Sequence, residues 1–392
     1  MATQLARPAY AEDLPASEQA ASQRANGHAP QATAHAPEAT PHAPDATPLT
    51  RDDRIALQHY MLLMRAIEER AMSLYRQGKV PGSFYDGRGQ EAVSVGAAFA
   101  MSPSDRLCVL HRDLGAHLVR GVEPPRVLAQ YMGRAGGLTA GRDGNVHFGD
   151  RHLGCVGMVS MLPDMMLVAT GMAMAFKLRH EQRCALTWCG DGATSRGDFH
   201  EALNWASVQR LPVVFVLENN QFAYSTPLEL QFAVDPVERA AAYGCAGVKV
   251  DGNDVEAVFE ATRIARERAL DGGGPTLIEA ETMRMHGHAA HDDMRYVPPA
   301  LLEHWAARDP IETYAARLEA EGIDAAALQA DVSELVERAT AAALEMPMPD
   351  PSMATEGVFC EGEAEPLGDG RAPWSAYADA AAPALARASE VA

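Results

Sequence analysis

Apolar residues in this chain recur with two different periods, and the change between them outlines the elements. Beyond Thr50, the residues Tyr60, Leu63, Met64, Ile67, Ala71 and Leu74 return at the three- and four-residue spacing of one helical face. Thr50 is placed to cap that helix, Asp52 and Asp53 put carboxylates in its first turn, and Gly78 with Pro81 beyond it marks the end. From about residue 105 to 280, short apolar runs (RLCVL, CALTWC, PVVFVLE, GVKV and PTLIEA) alternate with helical stretches. That alternation predicts an α/β fold, a mostly parallel sheet with helices on both faces. Ligands of such sheets bind beyond the carboxyl ends of the strands, so chemistry is expected just after those runs. Residues 300–346 predict two further helices, one opening near Asp309-Pro310 and one from about Asp331 to Leu344.

The flanks have another character. Residues 1–48 hold three near-copies of a seven-residue unit, HAPQATA, HAPEATP and HAPDATP, starting at His28, His35 and His42. A period of seven suits a coiled coil, but a proline in every unit and the lack of a large apolar seam forbid one. A disordered arm over 1–48 is expected, its histidines incidental in preference to metal-binding, followed by one domain over 49–360. The tail over 361–392 is rich in Gly, Ala and Pro, with Trp374 and Tyr377 as its anchors, and is expected to be flexible.

Composition narrows the partners. With 392 residues, 47% of them hydrophobic, the chain can bury a large core. A net charge of -20 and a pI of 5.1 repel phosphate backbones and anionic lipid, so neither nucleic acid nor membrane is an expected partner. An anionic cofactor would need a local pocket of Arg, His or metal. The cysteines at 108, 155, 184, 189, 245 and 360 form no CxxC pair, and a reduced cytoplasmic protein is expected, with Cys184 and Cys189 as buried small hydrophobes. Residues 1–20 carry no apolar signal core, and no run of eighteen uncharged apolar residues occurs, so neither export nor membrane spanning is indicated.

The chemistry concentrates in WCGDGATSRGDFHEALNWASVQRLPVVFVLENNQFAYSTP, residues 188–227. A strand over Ala185 to Cys189 runs into Gly190-Asp191-Gly192, a helix follows from about Gly197 to Arg210, and a strand over Pro212 to Leu217 ends at Glu218-Asn219-Asn220. In this βαβ unit the glycines let backbone approach a ligand, while Asp191 and Asn220 point oxygens into one crevice. Hard oxygen donors suit Mg²⁺, which takes a carboxylate or two and completes its shell from diphosphate and water. The constellation predicts a metal-bridged diphosphate. A dinucleotide site is the rival, since Gly190-x-Gly192 follows a strand and Glu218 could hold a ribose. Ser195 stands where the third glycine belongs, however, and that motif gives the Asn pair no role.

This stretch resembles the fingerprint of thiamine-diphosphate enzymes. HEALNWA and ENNQFAYSTP are similar to the alpha subunits of pyruvate, branched-chain 2-oxo acid and acetoin dehydrogenase complexes. The similarity runs from about residue 50 to 360 and takes in GSFYDGRGQEAVSVGAA, LHRD at 110–113, MRMHGHAAHDD at 283–293 and PMPDPSMATEGVF. It implies a thiamine-diphosphate-binding fold in which the Asp191 and Asn220 side chains and the Phe222 carbonyl ligate magnesium. Gly192 and Ala193 would lend N–H groups to the diphosphate, and Arg112 would bind it as well. His111, where relatives often carry Tyr, would hydrogen-bond the cofactor. Ser160 and Leu162 would lie beside the aminopyrimidine, although Leu162 is equally readable as a core leucine. His288 would lie over the thiazolium, and with His286 it would be catalytic by moving protons. A zinc site of His286, His288 and His291 lacks a fourth ligand at the usual spacing.

Two departures from the family follow. Ala289 stands where regulated relatives carry a phosphorylated serine, so that switch is expected to be absent. Asp164 and Met165 replace the Thr and Gln of a monovalent-cation site. The resemblance further implies a 2-oxo acid substrate, a beta subunit carrying the pyrimidine-binding domain and the catalytic glutamate, and a lipoyl acyltransferase component as acyl acceptor. Glu91 is read as an interface or loop-support residue instead of that glutamate. RMHGH and ENN resemble pyruvate and acetoin enzymes, whereas SFY at 83–85, STP at 225–227 and Asp292-Asp293 lean toward branched-chain ones; pyruvate is the favoured substrate. A nicotinamide dehydrogenase and a non-catalytic assembly subunit remain as alternatives; intact Asp191, Asn220, Arg112 and His288 argue against the second.

Overall fold

The computed structural model describes residues 49–356 together with Val358 and Gly362; the arm over 1–48 and the tail beyond 360, Gly362 apart, lie outside the described residues. Among the described residues eight strands occur in chain order: β1 (Arg106–Cys108), β2 (Cys155–Val156), β3 (Ala185–Gly190), β4 (Val213–Asn219), β5 (Phe222–Ala223), β6 (Thr226–Pro227), β7 (Ala246–Asp251) and β8 (Thr276–Glu281). Six form one sheet in the order β2-β1-β3-β4-β8-β7, every pair parallel, while β5 and β6 make a small hairpin.

Alternate strand residues feed two separate cores, as the pleat requires. Leu186, Trp188, Val214, Val216 and Ile278 pack on one face with Val258 and Ala265 of the helix Val255–Arg268. Ala185, Cys189, Val213, Phe215, Leu217 and Leu277 pack on the other, with Met165, Met166 and Ala173 of the helix Asp164–Leu178 and Phe199 and Leu203 of the helix Gly197–Val208. Cys184 and Cys189 are both buried among these apolar neighbours. Burial on both faces explains why the central strands read as unbroken apolar runs.

The opening helix spans Arg51–Arg76 behind a capping box. Thr50 Oγ1 accepts from the Asp53 amide at 3.1 Å, and Asp53 Oδ2 accepts from the Thr50 amide at 2.9 Å. Gly78 leaves the helix in the left-handed region at φ 72°. The C-terminal part departs from expectation by holding three helices, Pro299–Ala306, Pro310–Ala320 and Ala325–Glu345. The first opens on a proline at its first position, which favours a helix start. The third begins ahead of Asp331 because Asp324 accepts from the Ala327 amide at 2.8 Å, capping an alanine-rich turn that carries little apolar signal. Strand β1 also stops at Cys108, short of Leu110, and the two-residue β2 is too brief to show a period. No helix among the described residues is long and apolar enough to cross a membrane.

Candidate active site

Four strand ends converge on one cavity of about 350 Å³. His111 and Arg112 follow β1. Gly190, Asp191, Gly192 and Ala193 end β3, where Asp191–Ser195 forms one tight turn before the next helix. Glu218 and Asn220 end β4, the hairpin brings Phe222, Ala223 and Tyr224, and Arg284 and His288 follow β8. A Cβ at Gly192 would stand 2.6 Å from Ala223 Cβ, so only glycine lets turn and hairpin meet. Gln221 at φ 78° and Tyr224 at φ 52° hold non-glycine backbone in the left-handed region on either side of Phe222, a strain of the kind stored at binding sites.

Three polar groups meet at the base of this cavity. One end of the Asn220 side-chain amide lies 3.1 Å from Asp191 Oδ1 and 3.2 Å from the Phe222 carbonyl oxygen, and with the amide oxygen at that end three oxygens converge with no donor between them. Neighbouring oxygens in an octahedral Mg²⁺ shell, at about 2.1 Å from the ion, stand about 3 Å apart, so the donor set and its spacing fit that ion. Turned over, the same amide would donate to both oxygens. Asp191 is 1% exposed; burial raises its pKa, and the Gln231 hydrogen bond opposes that rise. A cation here would favour the carboxylate.

Beside the oxygens lies a corner of buried positive charge. Arg112 donates through Nη1 to the Asp86 carbonyl at 2.7 Å and through Nη2 to the His288 carbonyl at 2.7 Å. Arg284 donates through Nε to the His286 carbonyl at 3.1 Å and through Nη2 to the Tyr224 carbonyl and the Tyr296 hydroxyl, each at 2.8 Å. Burial, then the neighbouring Arg284, pushes Arg112 down to about 10. Two guanidiniums held so close in a buried corner create a demand for an anion. Burial and the same two arginines push His288 down to about 4, so its ring is neutral near pH 7. Its Nδ1 lies 3.4 Å from Arg112 Nη2 and 3.5 Å from Arg284 Nη1. Guanidinium groups only donate, which leaves the His288 proton on Nε2. The rings of Tyr224 and Tyr85 flank it, with centroids at 4.6 and 5.7 Å. Burial also pushes Glu218 up to about 7 and raises its neighbour Asp113 well above the carboxylate range. His111 stands edge-on to Tyr85 at 5.4 Å, and burial with the positive charge of Arg112 holds it neutral.

Of the residues singled out from sequence, His111, Arg112, Leu162, Asp191, Gly192, Ala193, Asn220, Phe222 and His288 line this one cavity. Two do not. Ser160 is exposed and pairs with His147 Nε2 instead. His286 turns to Asp86, with Nδ1 2.8 Å from Oδ2, and lines a separate hollow with Arg65, Glu68 and Arg88; its link to the cavity is the carbonyl that holds Arg284. Two residues apart, the pair would share a face of extended backbone; the loop bends at both instead and aims His288, not His286, inward. No group of three His, Cys, Asp or Glu side chains among the described residues is arranged to hold a metal, which leaves the three-histidine zinc alternative without geometry. Glu91 is fully buried away from the cavity, 2.7 Å from Arg65 Nε and accepting from the Gly89 amide at 2.9 Å, and so braces the turn just ahead of its own helix. Met165 is buried in the core, and its thioether side chain brings no oxygen for a monovalent ion. Arg284, Tyr224 and Arg196 line the cavity without having been singled out as binding residues, and Glu218 lines it too, considered from sequence only as the ribose partner of the rival dinucleotide reading; Arg284 stood in view within RMHGH, just past a strand end.

Residues 59–352 match the family model described as dehydrogenase E1 component. The chain is 35% identical over 315 residues to the alpha subunit of acetoin:2,6-dichlorophenolindophenol oxidoreductase of Bacillus subtilis (strain 168), covering 79% of this chain and 95% of that one. It is 34% identical over 321 residues to the alpha subunit of 2-oxoisovalerate dehydrogenase of the same organism, covering 80% and 97%. It is also 34% identical over 279 residues to the alpha subunit of the pyruvate dehydrogenase E1 component of Rhizobium meliloti (strain 1021), covering 70% and 79%.

Proposed function

Because this chain belongs to the dehydrogenase E1 component family, we propose that it is the alpha subunit of a 2-oxo acid dehydrogenase complex, binding thiamine diphosphate and Mg²⁺ and oxidatively decarboxylating pyruvate with acyl transfer to a lipoyl carrier. One observation carries the reading: the Asp191 carboxylate, the Asn220 amide and the Phe222 carbonyl converge in one cavity with two buried guanidiniums. Cation and diphosphate together would satisfy both halves.

Mg²⁺ would be held by Asp191, Asn220 and the Phe222 carbonyl, with diphosphate oxygens and water completing its shell. Backbone N–H groups of Gly192 and Ala193 would hold the diphosphate, while Arg112 and Arg284 offset its remaining charge. Bound thiamine diphosphate supplies the carbon nucleophile for the 2-oxo carbonyl and the sink for the electrons released with carbon dioxide. Leu162 offers apolar support under the cofactor. His288, neutral and carrying its proton on Nε2, is set to lend one proton to the reacting groups and recover it.

Neither carboxylate lining this cavity is free for the aminopyrimidine end. Asp191 belongs to the oxygen cluster, and Glu218 lies in the field of Arg112. The activating glutamate therefore comes from a beta subunit carrying the pyrimidine-binding domain, and a lipoyl acyltransferase component takes the acyl group. A cytoplasmic location suits the free thiols of Cys108, Cys155, Cys184, Cys189 and Cys245.

Overall identity does not separate the three substrate types; the RMHGH and ENN runs resemble pyruvate and acetoin enzymes, and of these pyruvate is the proposed substrate. The test is to co-express the chain with its beta subunit and compare kcat/KM for pyruvate, 2-oxoisovalerate and acetoin. Pyruvate should give the highest value, and a higher value for either of the others would reassign the substrate. Thiamine diphosphate with Mg²⁺ should raise the melting temperature, and NAD should not.

A further inference from the structure

Each of the two side chains that face the cation position is held from behind by a glutamine. Gln90, fully buried just ahead of the helix Glu91–Phe99, accepts through Oε1 from Asn220 Nδ2 at 2.7 Å. Gln231, in the loop past the β5–β6 hairpin, donates from Nε2 to Asp191 Oδ2 and to the Thr226 carbonyl, each at 2.9 Å. A carboxamide has one donor end and one acceptor end. With its donor end on Gln90, Asn220 can turn only its oxygen to the cluster. With Oδ2 held by Gln231, Asp191 turns Oδ1 there.

A second setting of the same groups exists. Turned over, Asn220 would donate to Asp191 and Phe222, and its oxygen would need a donor at Gln90. Gln90 Nε2, buried and without a partner in the present setting, would supply that donor by turning too. One setting of this amide pair suits a cation, and the other suits none.

We propose that Gln90 and Gln231 are positioning residues of the cation site, Gln90 by accepting from Asn220 and Gln231 by donating to Asp191. The proposal rests on the metal and diphosphate reading above. The two glutamines act through opposite chemistry, so one kind of substitution separates them. Gln90→Glu keeps an acceptor oxygen for Asn220, whereas Gln90→Leu removes it. Gln231→Glu removes a donor and sets a second carboxylate against Asp191.

The test measures Mn²⁺ binding by electron paramagnetic resonance, in the presence of thiamine diphosphate, on each variant co-expressed with the beta subunit. Melting temperatures in EDTA are read alongside. Loss of an outer-shell partner weakens metal binding about 10- to 100-fold. Gln90→Leu and Gln231→Glu should lose affinity by that much while Gln90→Glu stays close to wild type, all with similar melting in EDTA. Wild-type affinity in Gln90→Leu would overturn the proposal, as would equal losses in Gln90→Leu and Gln90→Glu, which would mark a packing role. Should Gln90→Leu not assemble, the two glutamate variants decide alone, and equal responses overturn the idea. A wild-type complex that retains no Mn²⁺ overturns the cation reading and this proposal together, whereas wild-type retention with unchanged variants overturns only the role of the glutamines.

Discussion

One arm of Arg112 holds both the backbone and the ring of His288: Nη2 donates to its carbonyl oxygen at 2.7 Å and stands 3.4 Å from its Nδ1. The contact joins the loop after β1 to the loop after β8 and sets the two groups expected to grip the cofactor against each other. A lysine would keep the charge but lose the fork that reaches Asp86 and His288 at once. Arg112→Lys should therefore lose a charged hydrogen bond worth about 1.5–3 kcal/mol, weakening thiamine diphosphate binding about 10- to 100-fold. Fluorescence titration of the complex checks this, and an unchanged Kd would count against the assignment of Arg112.

Arg284 is the second guanidinium against His288 and contributes to keeping its ring neutral. Arg284→Met should raise the His288 pKa from about 4 toward the ordinary histidine range. A ring-proton NMR titration, assigned with His288→Gln, reads the shift directly. No upward movement would mean that burial and Arg112 hold the ring neutral without Arg284.

His117 is 4% exposed, stacked on Phe148 at 4.5 Å, and pushed down to about 3 by burial. Its folded pKa lies below its unfolded one, so acidification protonates the unfolded chain first. The stability it contributes is complete above about pH 6.5 and is lost progressively as pH falls toward 3. Between pH 7 and pH 5 this one group should remove about 2 kcal/mol. Urea unfolding at both values checks the loss, and His117→Gln should reduce the pH dependence by that amount. An unaltered pH dependence in the variant would refute the account of His117.

Glu91 compensates Arg65 within the fold, with Asp309 as the other partner of that guanidinium. Glu91→Gln leaves a buried charge half compensated, and removing one partner of a buried pair costs about 3–5 kcal/mol. Lower melting with an unchanged thiamine diphosphate Kd is expected. Lost carbon dioxide release at unchanged melting temperature and cofactor affinity would instead return Glu91 to the catalytic machinery.

The legible part of the site was the part written at strand ends. Gly190 and Glu218 end apolar runs in the sequence, and they are register partners in the β3–β4 ladder, so polar residues just past them fall side by side. Asp191 and Asn220 could therefore be paired from sequence. Arg284 could not be placed in the same way, because its reach into the cavity depends on β8 lying beside β4 and on the hairpin carbonyl of Tyr224. The resemblance put His288 over the thiazolium but kept His286 beside it as catalytic, since which way His286 turns is settled by Asp86 on a distant segment. The helix Pro299–Ala306 was hidden by prolines that read as breakers and act as a start.

The central claim is that this chain holds the metal and diphosphate half of a shared thiamine site, and carbon dioxide release from pyruvate with an artificial electron acceptor tests it most directly. The purified chain, the beta subunit and their mixture are assayed with thiamine diphosphate and Mg²⁺, then without either. Activity should appear only in the mixture and should vanish when cofactor or metal is withheld or when Asp191→Ala replaces the wild type. Decarboxylation by this chain alone at the rate of the mixture, or full activity of the mixture without thiamine diphosphate, would contradict it.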